Sequence, residues 1–324
     1  MTVLGVDIGG AYTKVASSDF ETLEIHYLPL WKHQDIRGFL ESVDRRLKPS
    51  LVGVVMTGEL ADCFPDKEQG ARFLRDAALG GFKCEVKFID QWGRISDGRN
   101  PRGLAAANWS ASAAWIAREF PDTILVDMGS TTTDIIPIQG GRPRAGVTDL
   151  ERLGRGELIY AGVLRTNPVS ILNQVELRGK VYRLASEYFA INADVYLLLG
   201  DIKEEDYTCP TPDGRAPGAC SRRLARLLCA DTSELSPEEI TGIARQIRER
   251  QIQDLAEALT VKSREYNLGH VSACGMGEFL IKEAAKRAKL KCTPLSDLYG
   301  ERGSRLFPAL ATARLVRESH QHST

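Results

Sequence analysis

Two glycine turns in this chain each follow an apolar run that carries an aspartate, and each leads into a cluster of hydroxyl side chains. The first reads Gly5-Val6-Asp7-Ile8-Gly9-Gly10-Ala11-Tyr12-Thr13-Lys14, and the second Leu125-Val126-Asp127-Met128-Gly129-Ser130-Thr131-Thr132-Thr133-Asp134. A strand that turns tightly on glycine aims backbone N–H groups and hydroxyls at one point, and an aspartate beside that point can hold a divalent metal. Such a pair suits anion binding. Gly9, Gly10, Thr13 and Lys14 form one candidate phosphate set, Gly129, Ser130, Thr131 and Thr132 the other, with Asp7 and Asp127 as candidate metal-holding carboxylates. An ordinary glycine hairpin explains the turns but not a carboxylate ending an apolar strand, which costs free energy unless it is paired or coordinated. For the second loop the plain alternative is a threonine-rich strand, since threonine favours strands. Taken together, the loops predict a phosphate clamped between two related half-domains.

Three further groups could do chemistry. Ser272-Ala273-Cys274-Gly275-Met276-Gly277-Glu278 reads as strand, glycine turn and helix start, so Gly275 and Gly277 permit close approach of a planar ligand or phosphate. Thr57-Gly58-Glu59 and Asp90-Gln91-Trp92-Gly93 follow predicted strands, where α/β proteins place ligand sites, and Glu59 is a candidate acid–base or metal-shell group. Asp149, Glu151 and Arg152 precede Gly154-Arg155-Gly156-Glu157. That stretch is either solvated surface or part of the phosphate site. His26, His33, His270, His320 and His322 show no ligand spacing, so no Ser/His/Asp triad is arguable.

The elements that must position these residues fit within 324 residues, one large or two medium domains. Apolar content of 43% and charged content of 26% suit a chain that buries a core, and a net charge of -1 gives no electrostatic case for nucleic acid or an acidic membrane. No apolar run approaches the ~20 residues that span a bilayer. The start, Met1-Thr2-Val3-Leu4-Gly5-Val6-Asp7, lacks the basic region of a signal peptide. Cys63, Cys84, Cys209, Cys220, Cys229, Cys274 and Cys292 are odd in number and contain no CxxC, which predicts reduced thiols in the cytoplasm. The spacing of Cys209, Cys220 and Cys229 matches no zinc motif.

Strands are expected at 2–9, 13–18 and 23–30, a helix over 35–48, strand 51–56, helix 67–79, strand 84–89 and helix 104–120. The pattern then restarts with strands 123–128 and 133–138 and a turn at Gly140-Gly141. This predicts an N-terminal half over 1–122 and a second half over 123–324. The second half carries a mostly helical insertion at about 150–262, including a loop from Cys209-Pro210 to Pro217-Gly218. Ser236-Pro237-Glu238-Glu239 is a capping box that starts a helix. Strand 270–273, a helix to about 288 and a helix over 305–317 complete the chain, and the polar tail from Glu318 is expected to fray.

The two aspartate loops and the late Gly-x-Gly resemble the acetate kinase/sugar kinase/Hsp70/actin superfamily, whose fold is α/β with duplicated ribonuclease H-like halves around a central cleft. More narrowly, several stretches resemble the hydantoinase/oxoprolinase-like family linked to tetrahydromethanopterin one-carbon transfer. These are Met56-Thr57-Gly58-Glu59-Leu60-Ala61-Asp62, Asn108-Trp109-Ser110-Ala111-Ser112, Asp127 to Asp134, Thr148-Asp149-Leu150-Glu151-Arg152-Leu153, Gly162-Val163-Leu164-Arg165-Thr166, and Ala193-Asp194-Val195-Tyr196 to Gly200-Asp201. The likeness covers most of the chain.

The resemblance implies a transferase of methanofuran biosynthesis. Archaeal members of the family join an aminomethyl-furanmethyl diphosphate to γ-glutamyltyramine, forming an aryl ether and releasing pyrophosphate. Methylotrophic bacteria make related furan cofactors with a different amine, which leaves the acceptor open. In this reading both glycine loops and Lys14 receive the diphosphate, Asp7 and Asp127 hold Mg²⁺, and Glu59, Asp149 and Asp194 are candidates for the base. Gly275, Gly277, Arg152 and Asp194 would then contact substrate. The implied partners are small molecules, with a homo-oligomer also possible. Two rivals remain open: an ATP-dependent kinase or hydantoinase-type hydrolase, and a nucleotide-responsive binding protein of the actin/Hsp70 kind.

Overall fold

The computed structural model describes residues 2–32, 35–208, 211 and 213–323. The first sheet begins with a meander of β1 (Val3–Gly9), β2 (Tyr12–Ser17) and β3 (Leu23–Tyr27). It continues through α1 (Ile36–Leu47), β4 (Leu51–Thr57), α2 (Lys67–Gly81), β5 (Glu85–Ile89) and the short β6 (Ile95–Ser96). The strand order is β3-β2-β1-β4-β5-β6. β2 is antiparallel to β1 and β3, whereas β4 is parallel to β1 and β5. Those directions follow from the connections: short turns close antiparallel pairs, and helices are needed to return parallel strands. Asp35 caps α1 by accepting from Gly38 N–H at 2.9 Å, and Asp66 caps α2 through Gln69 N–H at 2.8 Å.

After α3 (Asn108–Glu119) the chain forms β7 (Thr123–Met128), β8 (Thr133–Gln139), β9 (Arg142–Pro143), α4 (Asp149–Arg155) and β10 (Leu158–Ile159). A hairpin of β11 (Gln174–Leu177) and β12 (Lys180–Arg183) follows, then α5 (Asn192–Leu199), α6 (Pro217–Arg226) and the long α7 (Pro237–Tyr266). β13 (His270–Gly275), α8 (Glu278–Arg287), β14 (Lys291–Pro294), α9 (Ser296–Arg305) and α10 (Phe307–Ser323) end the chain. The second sheet runs β10-β8-β7-β13-β14, with β9 on β8. It repeats the order of the first sheet, with β10 in the place of β3. This is the duplicated α/β architecture expected from the restart near residue 123.

By internal contacts the chain divides into two compact units. One comprises 1–125, 136–157 and 294–324, the other 126–135 and 158–293. The C-terminal segment falls in the first unit because α10 packs on β1, where a Cβ on Gly5 would lie 1.8 Å from the Ala309 carbonyl oxygen.

Several local expectations are corrected. The tail does not fray at Glu318: α10 continues to Ser323, held by an Arg118–Glu318 ion pair and by His322 Nδ1 at 2.6 Å from the Glu318 carbonyl. The helix expected from 104 starts only at Asn108, because Ala106 adopts a left-handed φ of 48°. Pro217-Gly218, expected in a loop, opens α6. Cys209 and Pro210 lie outside the described residues. The insertion is mostly helical, but it also contains the β11–β12 hairpin. There Arg178, itself left-handed at φ 51°, is held by Glu239 through bonds of 2.6 and 2.9 Å.

Candidate functional site

In the first unit β1 carries Asp7 to its C-terminal end, 3% exposed. The antiparallel register places Lys14 of β2 directly opposite, and its Nζ lies 3.3 Å from Asp7 Oδ2. Asp7 Oδ1 is buried without a hydrogen-bond partner. Burial pushes the Asp7 pKa up, and Lys14 partly offsets this. Gly9 and Gly10 close the β1–β2 turn. Thr13 departs from expectation: it pairs with Ile8, so it faces the other side of the sheet from Asp7 and Lys14, and it is fully buried. That placement takes its hydroxyl out of the phosphate set.

A second centre in the same unit gathers residues that are far apart in sequence. Glu59 follows β4 and is 2% exposed. Its Oε2 is buried without a partner, while the backbone N–H groups of Glu59 itself and of Ala106 bond the carboxyl. Burial raises its pKa to about 7, with the neighbouring Asp149 charge adding to the rise and Lys67 opposing it. Asp149 sits between two cations, with Lys67 Nζ at 3.2 Å from Oδ2 and Arg152 Nη2 at 2.6 Å from Oδ1. Arg152 is itself buried and its guanidinium lies over Trp109, 4.9 Å from the ring centroid. Arg152 therefore fixes Asp149. Glu151 completes a capping box with Thr148 at the start of α4. Asp90 closes its own loop by accepting from the N–H groups of Trp92 and Arg94, both at 2.9 Å.

In the second unit β7 ends in Asp127 and the Gly129–Thr132 turn. The Gly129 N–H donates to the Thr132 carbonyl at 2.9 Å, so it belongs to the turn and is not offered to an anion. The hydroxyls of Ser130 and Thr131 lie 3.3 Å apart at the half-buried tip. Segment 162–165 braces this tip: the N–H groups of Leu164 and Arg165 donate to the Ser130 carbonyl at 3.0 and 2.9 Å. A Cβ at Gly162 would sit 2.5 Å from Thr131 N, so only glycine allows the approach. Gly275 lies against the same strand end at φ 91°, where a Cβ would fall 2.6 Å from Asp127 Oδ1. The Gly277 N–H donates to the Met128 carbonyl at 3.0 Å. The late glycine turn therefore meets the second aspartate loop.

Asp194 has a different place. It is fully buried and accepts from Arg223 Nη2 at 2.6 Å, Tyr207 Oη at 2.7 Å and the Ile191 N–H at 3.1 Å. A carboxylate so enclosed is a structural ion pair, and a substrate would have no oxygen to reach. Its helix, α5, acts through the backbone, where the Ala193 N–H bonds the Leu164 carbonyl at 3.1 Å behind the Ser130 brace. Burial raises the Cys220 thiol to about 12. Among the described residues no group of three His, Cys, Asp or Glu can hold a metal, and no helix is long and apolar enough to cross a membrane.

The sequence reading missed Lys67 and the left-handed Ala106. Lys67 read only as a helix start eight residues after Glu59, and nothing local marked it as the partner of Asp149.

The model of the family described as Hydantoinase/oxoprolinase matches residues 50–319. The chain belongs to that family. It is similar to the (4-{4-[2-(gamma-L-glutamylamino)ethyl]phenoxymethyl}furan-2-yl)methanamine synthase of Methanocaldococcus jannaschii, with 39% identity covering 98% of each chain. A protein of the same name from Methanococcus vannielii is 37% identical over 60% of this chain and 90% of its own. Among solved structures, the nucleotide-free acetone carboxylase matches with a TM-score of 0.54 at 8% identity, covering 96% of this chain and 70% of that one. That likeness shows that this hydantoinase/oxoprolinase family member shares its α/β fold with the carboxylase.

Proposed function

We propose that this family member is a transferase of methanofuran, or related furan cofactor, biosynthesis. It joins an aminomethyl-furanmethyl diphosphate to the phenol of a glutamyl-tyramine-type acceptor, forming an aryl ether and releasing pyrophosphate. The observation that carries this reading is the 39% identity over 98% of both chains to a synthase whose name contains a phenoxymethyl-furan unit. That unit is a C–O bond between a phenol oxygen and a furan-bound CH₂. To make it, the phenol must lose its proton and the CH₂ must lose a leaving group.

Glu59 is the best base for the first task. Its pKa of about 7 lies nearer the phenol's ~10 than an ordinary carboxyl does, and its unpartnered Oε2 can accept the proton. Burial does most to keep the Glu59 pKa high, and Asp149, held by Lys67 and Arg152, is a positioning residue that adds to the rise. For the second task the furan ring stabilises positive charge on CH₂ as the C–O bond to diphosphate breaks. In the first unit Lys14, and in the second the hydroxyls of Ser130 and Thr131, are each suited to negative charge on a diphosphate. Asp7 fits a Mg²⁺ held partly through water: Lys14 takes Oδ2, while Oδ1 has no partner. Mg²⁺ commonly uses one or two carboxylates with substrate phosphates and water, which suits Asp7. When bound, the ion would neutralise charge on the departing pyrophosphate.

The test is incubation of the purified chain with the furanmethyl diphosphate, γ-glutamyltyramine and Mg²⁺. One pyrophosphate and one ether should appear per turnover by mass spectrometry, without ATP. Turnover that requires ATP and yields ADP would replace this reading with the kinase or hydrolase one.

A further inference from the structure

The second unit contains a cavity of ≈ 240 Å³ that none of the residues discussed for catalysis explains. It opens between the strand ends that flank the Gly129–Thr132 turn and one face of α7. Met128, Ile159, Ile171 and Leu255 give it apolar walls, and Gln251 and Asp254 give it polar ones. Gln251, Asp254 and Leu255 are spaced three and four apart, so the helix presents them together.

The two polar walls are built for different partners. Gln251 is 4% exposed. Its Oε1 accepts from Asn192 Nδ2 at 3.0 Å and from the Tyr196 hydroxyl, which fixes the amide orientation. Nε2 then makes only a long 3.4 Å contact with the Gly162 carbonyl and remains a donor for an occupant's oxygen. Asp254 Oδ1 is 2.7 Å from Arg250, which leaves its other oxygen as an acceptor at the cavity wall. Partial burial raises the Asp254 pKa, with Arg250 opposing, so a cationic partner would relieve a real desolvation cost.

The space suits one small ring with short arms. The apolar walls match ring faces, the fixed amide matches a ring oxygen, and the carboxylate matches an ammonium group. A tyramine-type phenol also carries an ammonium group, but on a longer arm, and its ring offers the fixed amide no ring oxygen. We propose that this cavity holds the furan-methanamine portion of the substrate, with the ring between Met128, Ile171 and Leu255, the ring oxygen on Gln251 Nε2 and the ammonium on Asp254. The CH₂ arm then leaves at the Met128–Thr133 end, beside the turn proposed for the diphosphate. This assignment rests on the synthase reading above.

The test titrates furan-2-ylmethanamine and tyramine into the full chain by calorimetry, using wild type, Asp254→Asn and the cavity-filling Ala161→Leu. Melting temperatures serve as the folding control. Wild type should bind the furan amine, and tyramine should not compete. Asp254→Asn should weaken binding roughly tenfold, as expected for losing a charged hydrogen bond. Ala161→Leu should abolish it. In turnover Asp254→Asn should raise KM for the furanmethyl diphosphate with kcat near wild type, and Ala161→Leu should lose turnover at every accessible concentration. Binding that neither folded variant alters, or a cavity that takes tyramine instead, overturns the proposal. Ether synthesis with KM unmoved sinks the cavity assignment alone. Absence of ether synthesis, with cavity-dependent binding of the amine intact, sinks the synthase reading alone.

Discussion

Glu59 and Asp194 are both buried carboxyls at element ends, yet the fold treats them in opposite ways. Asp194 has Arg223, Tyr207 and a backbone N–H on its two oxygens. Among the described residues, Glu59 has two backbone N–H groups, no direct cation and one oxygen with no partner. Lys67, the cation that acts on Glu59, is committed to Asp149 instead. A fully satisfied buried charge stabilises one conformation, whereas an unsatisfied one is a reactive group waiting for a proton or a ligand. Burial alone therefore does not mark a functional carboxylate. The count of its partners does.

The strongest challenge to this contrast is Glu59→Gln. It should lower ether formation by about 10²- to 10⁴-fold in steady-state product assays, the range for losing a general base, with the melting temperature unchanged or raised. Retained activity would remove Glu59 from the mechanism. Asp194→Ala should do the reverse. It strands a buried Arg223, so denaturant unfolding should show a loss of about 3–5 kcal/mol, while activity per folded molecule stays close to wild type.

The pH dependence of stability sharpens the comparison. The folded pKa of Glu59 is raised from 4.5 to about 7, so the folded state keeps a proton that the unfolded chain releases. The stability linked to this proton is fully present below 4.5 and is lost as pH rises toward 7, by about 3 kcal/mol in all. Urea titrations of wild type against Glu59→Gln over that window should differ with this sign, and parallel curves would argue against a buried neutral Glu59. The same group predicts that kcat/KM rises with pH to a plateau above about 7.

Asp7 shares the unpartnered oxygen of Glu59, and the metal role assigned to it extends the contrast to a third carboxylate. Asp7→Asn and Asp127→Asn should each reduce turnover at least ~10²-fold with Mg²⁺ present and the fold intact by circular dichroism. Near-wild-type rates in either variant break that extension. The smallest effect is expected of Asp149→Asn. Removing the neighbouring charge should move the acidic limb of the pH–rate profile to lower pH, and an unmoved limb would deny Asp149 its positioning role.

Much of the frame was legible from local pattern. Short continuous apolar runs marked β1, β4 and β7 as buried strands, and Ser236-Pro237-Glu238-Glu239 marked the start of α7, because apolar runs and capping act over a few residues. The restart near residue 123 was readable for the same reason, and the repeated strand order of the two sheets follows from it. The β11–β12 hairpin was not readable, since its left-handed Arg178 depends on Glu239, far along the chain.

By itself the sequence determined which short segments become strands and helices, and that Asp7, Glu59 and Asp127 stand at strand ends. Only the tertiary structure decided what each carboxylate meets. It turned Thr13 away from Asp7, closed Asp194 around Arg223, placed Lys67 and Arg152 on Asp149 and left Glu59 Oε2 without a partner. The physical reason is that electrostatic environment depends on distances in space and on exclusion of water, and both are set by packing among segments that the order of residues keeps far apart.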